Sequence, residues 1–306
     1  KNIHFLSIGT CKMGNDNSRE AESTPEVAEF RMISGCQDSQ TSADVSNVNE
    51  FELPDPAGRA GGACTSALLK VLYHDEKTPE DTYSFVEVLK MMRDDLSEGD
   101  YTQVPQLTSS TIIDLNEPFD LVPEKSTGTR RAVLVGINYV GMNGELSGCH
   151  NDVYNIKKYI MDVHGFEEEN IVMLVDDGEC EMPTRENMMN AYKWLVESSE
   201  AGDAVFTHFS GHGGQLRDQD GDEADGFDET LIPVDYLENG QIRDDDLYDT
   251  LVKPMKVGVV VTSLMDCCHS GTVLDLPYTF RADSDKFEME MEEGFDLGKL
   301  LGKIGA

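Results

Sequence analysis

The sequence has few basic residues and no long apolar run. Only 24 Lys and Arg residues stand against 59 Asp and Glu residues, which gives a formal net charge of −35. Because nucleic-acid binding needs clustered Lys and Arg, this balance argues against DNA or RNA as a partner. No apolar stretch approaches the roughly 20 residues of a membrane-spanning helix, so no membrane partner is expected. A solvated acidic surface explains most of the charge, but clustered acids also suit calcium ions or basic peptides.

A cysteine pattern typical of a disulfide framework or a zinc ribbon is absent. The seven cysteines are odd in number and have no regular spacing in a long chain. This pattern favours a reducing compartment, and we expect a cytoplasmic location. The sequence begins at Lys1, which is compatible with a trimmed chain or with a mature form whose targeting peptide has been removed.

The second half of the chain alternates short apolar runs with amphipathic segments. This alternation predicts an α/β fold with a mostly parallel sheet covered on both faces. Binding sites in such sheets lie beyond the carboxyl ends of the strands. The predicted strands are 131–137, 170–177, 203–211 and 257–266, and the predicted helices are 152–165 and 184–199.

The first half has a less regular pattern. It predicts a strand at 29–35, helices at 61–74 and 78–96, and an edge strand at 101–107, because that last run contains a proline. We therefore divide the chain into a first region (1–107), a linker (108–129), a second region (130–282) and an acidic tail (283–306).

A histidine and a cysteine follow two of the predicted strands. Because side chains alternate along a strand, Ser210 and His212 should point one way, as should Asp266 and Cys268. If the two strands are neighbours, a thiol beside an imidazole makes an activated nucleophile. The glycines around His212 permit close approach of a substrate, and the backbone N–H of Gly213 could stabilise an oxyanion. His208 fits a buried core histidine.

A zinc site is the alternative for the same segment. Its candidate ligands are Cys267, Cys268, His269, His208 and His212. Consecutive strand residues diverge, however, and no C-x₂-C spacing is present, so zinc is disfavoured.

Several motifs resemble those of the metacaspases, a family in the caspase-like clan of cysteine peptidases. "HFSGHGGQ" (208–215), "DCCHSGT" (266–272) and "SGCHNDV" (147–153) resemble the catalytic region of that family. "ISGCQDSQTSADV" (33–45) and "GGACTSALL" (61–69) resemble its small-subunit region, which here comes first, as in the type III group of algae. The resemblance implies a caspase-like α/β/α sandwich in which both regions form one domain, and a monomer.

The resemblance also implies roles for individual residues. Cys268 would be the nucleophile and His212 the general acid and base of a cysteine endopeptidase. Cys267 is interpreted as a buried thiol, with a redox partner as the alternative. Self-cleavage is common in the family, and the basic candidates for it are Lys125, Arg130, Arg131 and Lys256.

The resemblance places Asp152, Ser210 and Asp266 in the pocket for the P1 side chain. Two carboxylates in one pocket suit the guanidinium of Arg or the ammonium of Lys and would repel Asp. The expected substrates are therefore peptides or proteins with Arg or Lys at P1. The alternative for Asp152 is an acid that stabilises a helix N-terminus.

Seven acidic residues fall within 218–229, yet no register matches an EF-hand, which needs acids at positions 1, 3 and 5 and Gly at position 6. The resemblance implies calcium ligands at Asp228, Asp244, Asp245 and Asp275, each expected in a loop near the strand ends. A merely solvated acidic loop is the alternative. A rival function for the whole chain is a catalytically silent calcium-binding scaffold on the same fold.

Overall fold

A mixed eight-stranded sheet lies at the centre of the computed structural model, which describes residues 28–35, 63–73, 82–99, 101, 103–218, 226–268 and 270–292. The strands are β1 (Glu29–Ser34), β2 (Gln106–Ser109), β3 (Arg130–Gly136), β4 (Ile171–Val175), β5 (Ala204–Ser210), β6 (Gly213–Arg217), β7 (Phe227–Leu231), β8 (Ile242–Arg243), β9 (Val260–Asp266), β10 (Tyr278–Arg281) and β11 (Glu290–Met291). The helices are α1 (Ala63–Leu72), α2 (Phe85–Glu98), α3 (Cys149–His164), α4 (Arg185–Ser198), α5 (Tyr236–Asn239) and α6 (Asp244–Leu247).

The strand order of the large sheet is β11-β10-β2-β1-β9-β5-β3-β4. The pairs among β1, β9, β5, β3 and β4 are parallel, whereas β2, β10 and β11 add an antiparallel extension. β6, β7 and β8 form a separate antiparallel sheet. Strand β1 of the first region pairs with β9 of the second, so both regions share one sheet.

Two apolar clusters cover the two faces of the large sheet. Helices α1, α2 and α3 pack on one face with Phe206 and Leu264, and α4 packs on the other with Val205 and Val261. The central strands β5 and β9 are buried over their whole length, because both of their faces are covered. This arrangement is the expected caspase-like α/β fold. Among the described helices, none is long and apolar enough to cross a membrane.

The prediction of an edge strand at 101–107 is wrong. Strand β2 begins after Pro105 and lies inside the sheet, because β10 pairs with its outer side. The strand also extends two residues into the predicted linker, and that linker buries Leu115 and Leu121 against the cluster on the α1 face. Part of the predicted tail contributes the exposed edge strand β11. These pairings join distant segments, which local sequence patterns do not reveal.

Candidate active site

The carboxyl ends of β5 and β9 lie side by side, because the two strands are parallel neighbours. Their last paired residues are Ser210 and Asp266. Beyond this pair, the segments that follow β5 and β9 stay in contact. A Cβ added at Gly213 would lie only 1.9 Å from the carbonyl oxygen of Cys268. Only glycine allows such a close approach. The backbone that follows His212 therefore lies directly against the backbone of Cys268.

His212 is buried, and its hydrogen bonds define its tautomer. Its Nε2 lies 2.7 Å from the carbonyl oxygen of Gly144. A carbonyl can only accept, so Nε2 carries the proton and Nδ1 keeps a lone pair when the ring is neutral. Nδ1 is buried without a hydrogen-bond partner among the described residues. Burial lowers the pKa of His212, although the bond to Gly144 opposes this shift. The ring is thus a neutral base at neutral pH.

The two adjacent cysteines have different surroundings. Cys267 belongs to the apolar cluster on the α4 face, and burial raises the pKa of its thiol well above the ordinary value. Cys268 lies at the sheet edge and is 7% exposed. The burial of Cys267 agrees with its interpretation as an inert thiol, since a thiol that resists ionisation is a weak nucleophile.

Three polar side chains meet beside this edge, on the α1 face. The hydroxyl of Ser210 donates to Oδ2 of Asp152 at 2.8 Å. Burial first, and the charge of Asp266 second, raise the pKa of Asp152 to about 7. Asp266 accepts a hydrogen bond of 2.7 Å from the backbone N–H of Thr65, in the first turn of α1. The structure therefore brings together the three residues that the resemblance assigns to the P1 pocket.

A cleft of about 330 Å³ opens at Asp152 between the helices α1, α2 and α3. Its polar lining includes Asp95, Tyr101, Asn151 and Asn155. Lys70 already pairs with Asp95, so Asp152 is the lining carboxylate that suits a cationic side chain.

A group of carboxylates lies at the separate sheet of β6, β7 and β8. One oxygen each from Asp228, Asp244 and Asp245 lies within 4.8 Å of the others. Burial and the charge of Asp275 raise the pKa of Asp244 to about 9, with smaller contributions from Glu229 and Asp228. Asp275 is thus near this group but not one of its three closest members.

The location of these acids differs from the prediction. Asp228 lies in strand β7, and Asp244 and Asp245 begin helix α6, whereas Asp275 lies in a loop with a left-handed φ of 48°. Residues 219–225 of the acidic run and His269 lie outside the described residues. Within the part of the chain that is described, this carboxylate group is the one cluster suited to a metal ion, and no Cys and His cluster of that kind is found.

Comparisons with known proteins agree with this geometry. Residues 130–277 match the family "Metacaspase, peptidase C14 domain", and residues 7–116 match "Caspase domain". "Metacaspase III c" of Phaeodactylum tricornutum is 65% identical over 280 residues, which cover 91% of this chain and 83% of that relative. The chain belongs to the metacaspase family. It is a cysteine endopeptidase of the caspase-like clan.

Other matches are partial. "Metacaspase-1" of Pyricularia oryzae is 46% identical over 180 residues, which cover 58% of this metacaspase and 45% of the fungal protein. This chain therefore spans about half the length of that relative. The crystal structure of protein GSU0716 from Geobacter sulfurreducens is 32% identical, covers 48% of this chain and 53% of that one, and superposes with a TM-score of 0.39.

Sequence reasoning missed several groups that shape the metacaspase site. The Gly144 carbonyl orients His212, and the N–H of Thr65 holds Asp266. Both are backbone atoms, so no side-chain pattern could reveal them. Glu229 is buried beside Asp244, to which its own N–H donates at 2.7 Å. It lies within the acidic run, so composition alone could have suggested it.

Proposed function

We propose that this metacaspase is a calcium-activated endopeptidase that cleaves after Arg or Lys, with Cys268 as nucleophile and His212 as general acid and base. The observation that carries the proposal is the buried, neutral His212 with its unprotonated Nδ1, directly before Gly213, whose backbone lies against that of Cys268. The thiol proton passes to Nδ1, and the thiolate attacks the scissile carbonyl carbon. The imidazolium then protonates the leaving amine, and water hydrolyses the acyl-enzyme. The N–H of Gly213 is our candidate donor to the oxyanion.

The preference for Arg or Lys rests on Asp152 and Asp266. Both are buried in one place, and their mutual repulsion is part of the reason for the raised pKa of Asp152. A cationic P1 side chain would relieve this repulsion, whereas an aspartate would add to it. Asp152 also lies in the first turn of α3, where an acid is favourable. Its hydrogen bond to Ser210 across to β5 supports the additional role in the pocket.

The residues around Asp244 fit a calcium ion. Oxygens within 4.8 Å of one another can share one ion, because calcium–oxygen bonds of about 2.4 Å span that separation. The raised pKa of Asp244 indicates that the cluster needs a proton or a cation at neutral pH. Arg243 already pairs with Asp228 and would have to share or yield that carboxylate. Calcium would neutralise the cluster and order the segments that carry Asp228, Asp244 and Asp275.

Self-processing is favoured at Lys125 over Arg130 and Arg131. Arg130 and Arg131 lie in β3, paired with β5 on one side, and Arg131 also forms an ion pair with the buried Asp203. Lys125 lies in the connection before β3, and its side chain is 61% exposed although it pairs with Glu29. A protease needs an accessible segment, which favours Lys125.

A monomer and a cytoplasmic location remain part of the proposal. The edge strand β11 is only two residues long and exposed, a feature that disfavours sheet-edge dimerisation. Light scattering coupled to size exclusion tests the oligomeric state, and imaging of the tagged full-length protein tests the location.

The catalytic proposal is tested with a fluorogenic peptide ending in Arg, assayed in calcium or in a chelator. We expect turnover in calcium that Cys268→Ala abolishes and that Cys267→Ala retains. A matched peptide ending in Asp should not be cleaved. The rival function, a silent calcium-binding scaffold, predicts no turnover from any of these proteins.

The calcium proposal is tested separately by thermal unfolding of the Cys268→Ala protein, which cannot process itself. Calcium should raise Tm, because an ion that binds only the folded state stabilises it. Asp244→Asn should remove this response. Asp249→Asn, an exposed acid paired with Lys253, is the matched control and should keep it. An equal response in the Asp244 variant would place the ion elsewhere.

A further inference from the structure

We propose that Asp176, directly after β4, is a positioning residue that sets the tautomer and orientation of His212. It acts through the loop between β3 and α3 and touches neither His212 nor Cys268 in any contact described above. The inference rests on the proposed role of His212 as the catalytic base. It adds a residue whose part in the reaction the motif comparison does not suggest.

The loop contains a strained residue that contacts His212. Tyr139 has a left-handed φ of 53°, which is uncommon for a bulky residue and is unfavourable by about 1–3 kcal/mol. It is fully buried, and its ring centroid lies 4.7 Å from that of His212. Its hydroxyl accepts from the N–H of His212 at 3.0 Å and donates to the carbonyl of Ile232 at 2.7 Å. The position of His212 therefore depends on this conformation of Tyr139.

Asp176 accepts hydrogen bonds from the backbone N–H groups of both neighbours of Tyr139. Its Oδ1 accepts from the N–H of Asn138 at 2.8 Å, and its Oδ2 accepts from the N–H of Val140 at 3.2 Å. Nε2 of His150, in the first turn of α3, lies 2.6 Å from the same Oδ1. Only a carboxylate offers two acceptor oxygens in this geometry. The buried Asp176 thus compensates for the strain at Tyr139.

Asn138, whose N–H Asp176 binds, also closes the loop that contains Gly144. The carbonyl oxygen of Asn138 accepts from Leu146 N–H at 2.7 Å, and its side-chain oxygen accepts from Cys149 N–H at 3.1 Å. Gly144 lies inside this closed loop, and its carbonyl is the acceptor for Nε2–H of His212. If the hydrogen bonds of Asp176 are lost, the carbonyl of Gly144 moves away from Nε2 of His212. Nδ1 of His212 can then become the protonated nitrogen. A ring in that tautomer cannot take the thiol proton at Nδ1.

The test compares Asp176→Asn with Asp177→Asn in the full chain. Asp177 is a matched control, since its carboxylate also accepts from two backbone N–H groups, those of Glu179 and Cys180, but away from the loop. We measure kcat and KM on the Arg peptide in calcium. We also record ¹⁵N spectra of histidine-labelled protein without substrate, with the His212 signal assigned by its loss in His212→Ala.

We expect Asp176→Asn to lower kcat on the order of 100-fold, as a misplacement of about 1 Å can do, and to change KM less than about threefold, because substrate contacts remain. The His212 spectrum should shift from the Nε2–H form towards a mixture. Asp177→Asn should match the wild type in both measurements. The proposal is overturned if Asp176→Asn keeps the wild-type kcat, or loses activity with an unchanged His212 spectrum, or if Asp177→Asn has the same effects.

Two further measurements separate other outcomes. If Asp176→Asn does not fold by circular dichroism, His150→Ala replaces it, because it removes one partner of the same carboxylate, and the His150 side chain is 19% exposed. It should shift the spectrum in the same direction with a smaller loss of kcat, and unchanged values in both would refute the proposal. If the wild type shows no turnover, the proposed peptidase roles fail, whereas the spectra still decide whether Asp176 controls the His212 tautomer.

Discussion

Replacing Gly213 by alanine should misplace Cys268 while leaving the fold intact. The added Cβ would lie 1.9 Å from the carbonyl oxygen of Cys268, 3.0 Å from its carbonyl carbon and 3.2 Å from Sγ of Cys267. Real Cβ contacts stay above 3.0 Å. Either the segment at Gly213 or the segment at Cys268 therefore has to move by about 1 Å or more. The nearest atoms belong to backbone, which cannot rotate away as a flexible side chain can. A misplacement of this size at a reacting group costs on the order of 100-fold in rate.

The assay is steady-state cleavage of the Arg peptide, together with thermal unfolding. We expect kcat to fall on the order of 100-fold, with a loss of stability of about 1–3 kcal/mol from overpacking. Gly214→Ala is the neighbouring control, because its Cβ would meet the side-chain ends of Gln241 and Thr230 at 3.1 Å rather than backbone. Wild-type kcat in Gly213→Ala would refute the contact between residues 213 and 268 in the active enzyme.

Three further predictions concern ionisation and access. The kcat/KM for Arg peptides should fall as the pH drops through about 7, where Asp152 takes up a proton and loses its charge. Asp152→Asn should flatten this acidic limb of the pH profile. An unchanged profile in that variant would contradict the role of Asp152 in the P1 pocket. The limb is not due to His212, whose pKa lies below its ordinary value. Slow alkylation of Cys267 is expected in Cys268→Ala, because its buried thiol resists ionisation, and fast labelling measured by mass spectrometry would exclude an inert role. Lys125→Gln should remove a calcium-induced fragment beginning at Ser126, whereas N-terminal sequencing that finds a cut after Arg130 or Arg131 would show that β3 opens.

The strands of the second region were predictable because burial on both faces imposes a simple rule. A central parallel strand contacts apolar side chains on each side, so the runs ending at Gly136, Ser210 and Asp266 are rich in apolar residues. The helices were predictable from capping as well, since the Thr184 side chain accepts from the N–H of Asn187. Such signals are local, and they require no knowledge of which strands are neighbours.

Pairing between distant segments was beyond the reach of these rules. Strand β2 looked like an edge strand because of Pro105, yet β10, which lies more than 160 residues further along the chain, pairs with its outer side. The acids Asp228 and Asp244 were expected in loops, but they lie in β7 and at the start of α6, where a hydrogen bond from the N–H of Glu229, next to Asp228, to Asp244 joins the two elements. Short polar strands carry little periodic signal, which is why this small sheet was not predicted.

The sequence by itself determined the residue types needed for the chemistry and the positions of the main strands along the chain. His212 and Cys268 each follow a largely apolar run that must be buried. Only the tertiary structure decided the state of those residues. The protonated nitrogen of His212 depends on a carbonyl of residue 144, and the raised pKa of Asp152 depends on burial and then on Asp266, which lies 114 positions away. A pKa or a tautomer is set by distances through space and by burial, and neither is a property of one stretch of sequence.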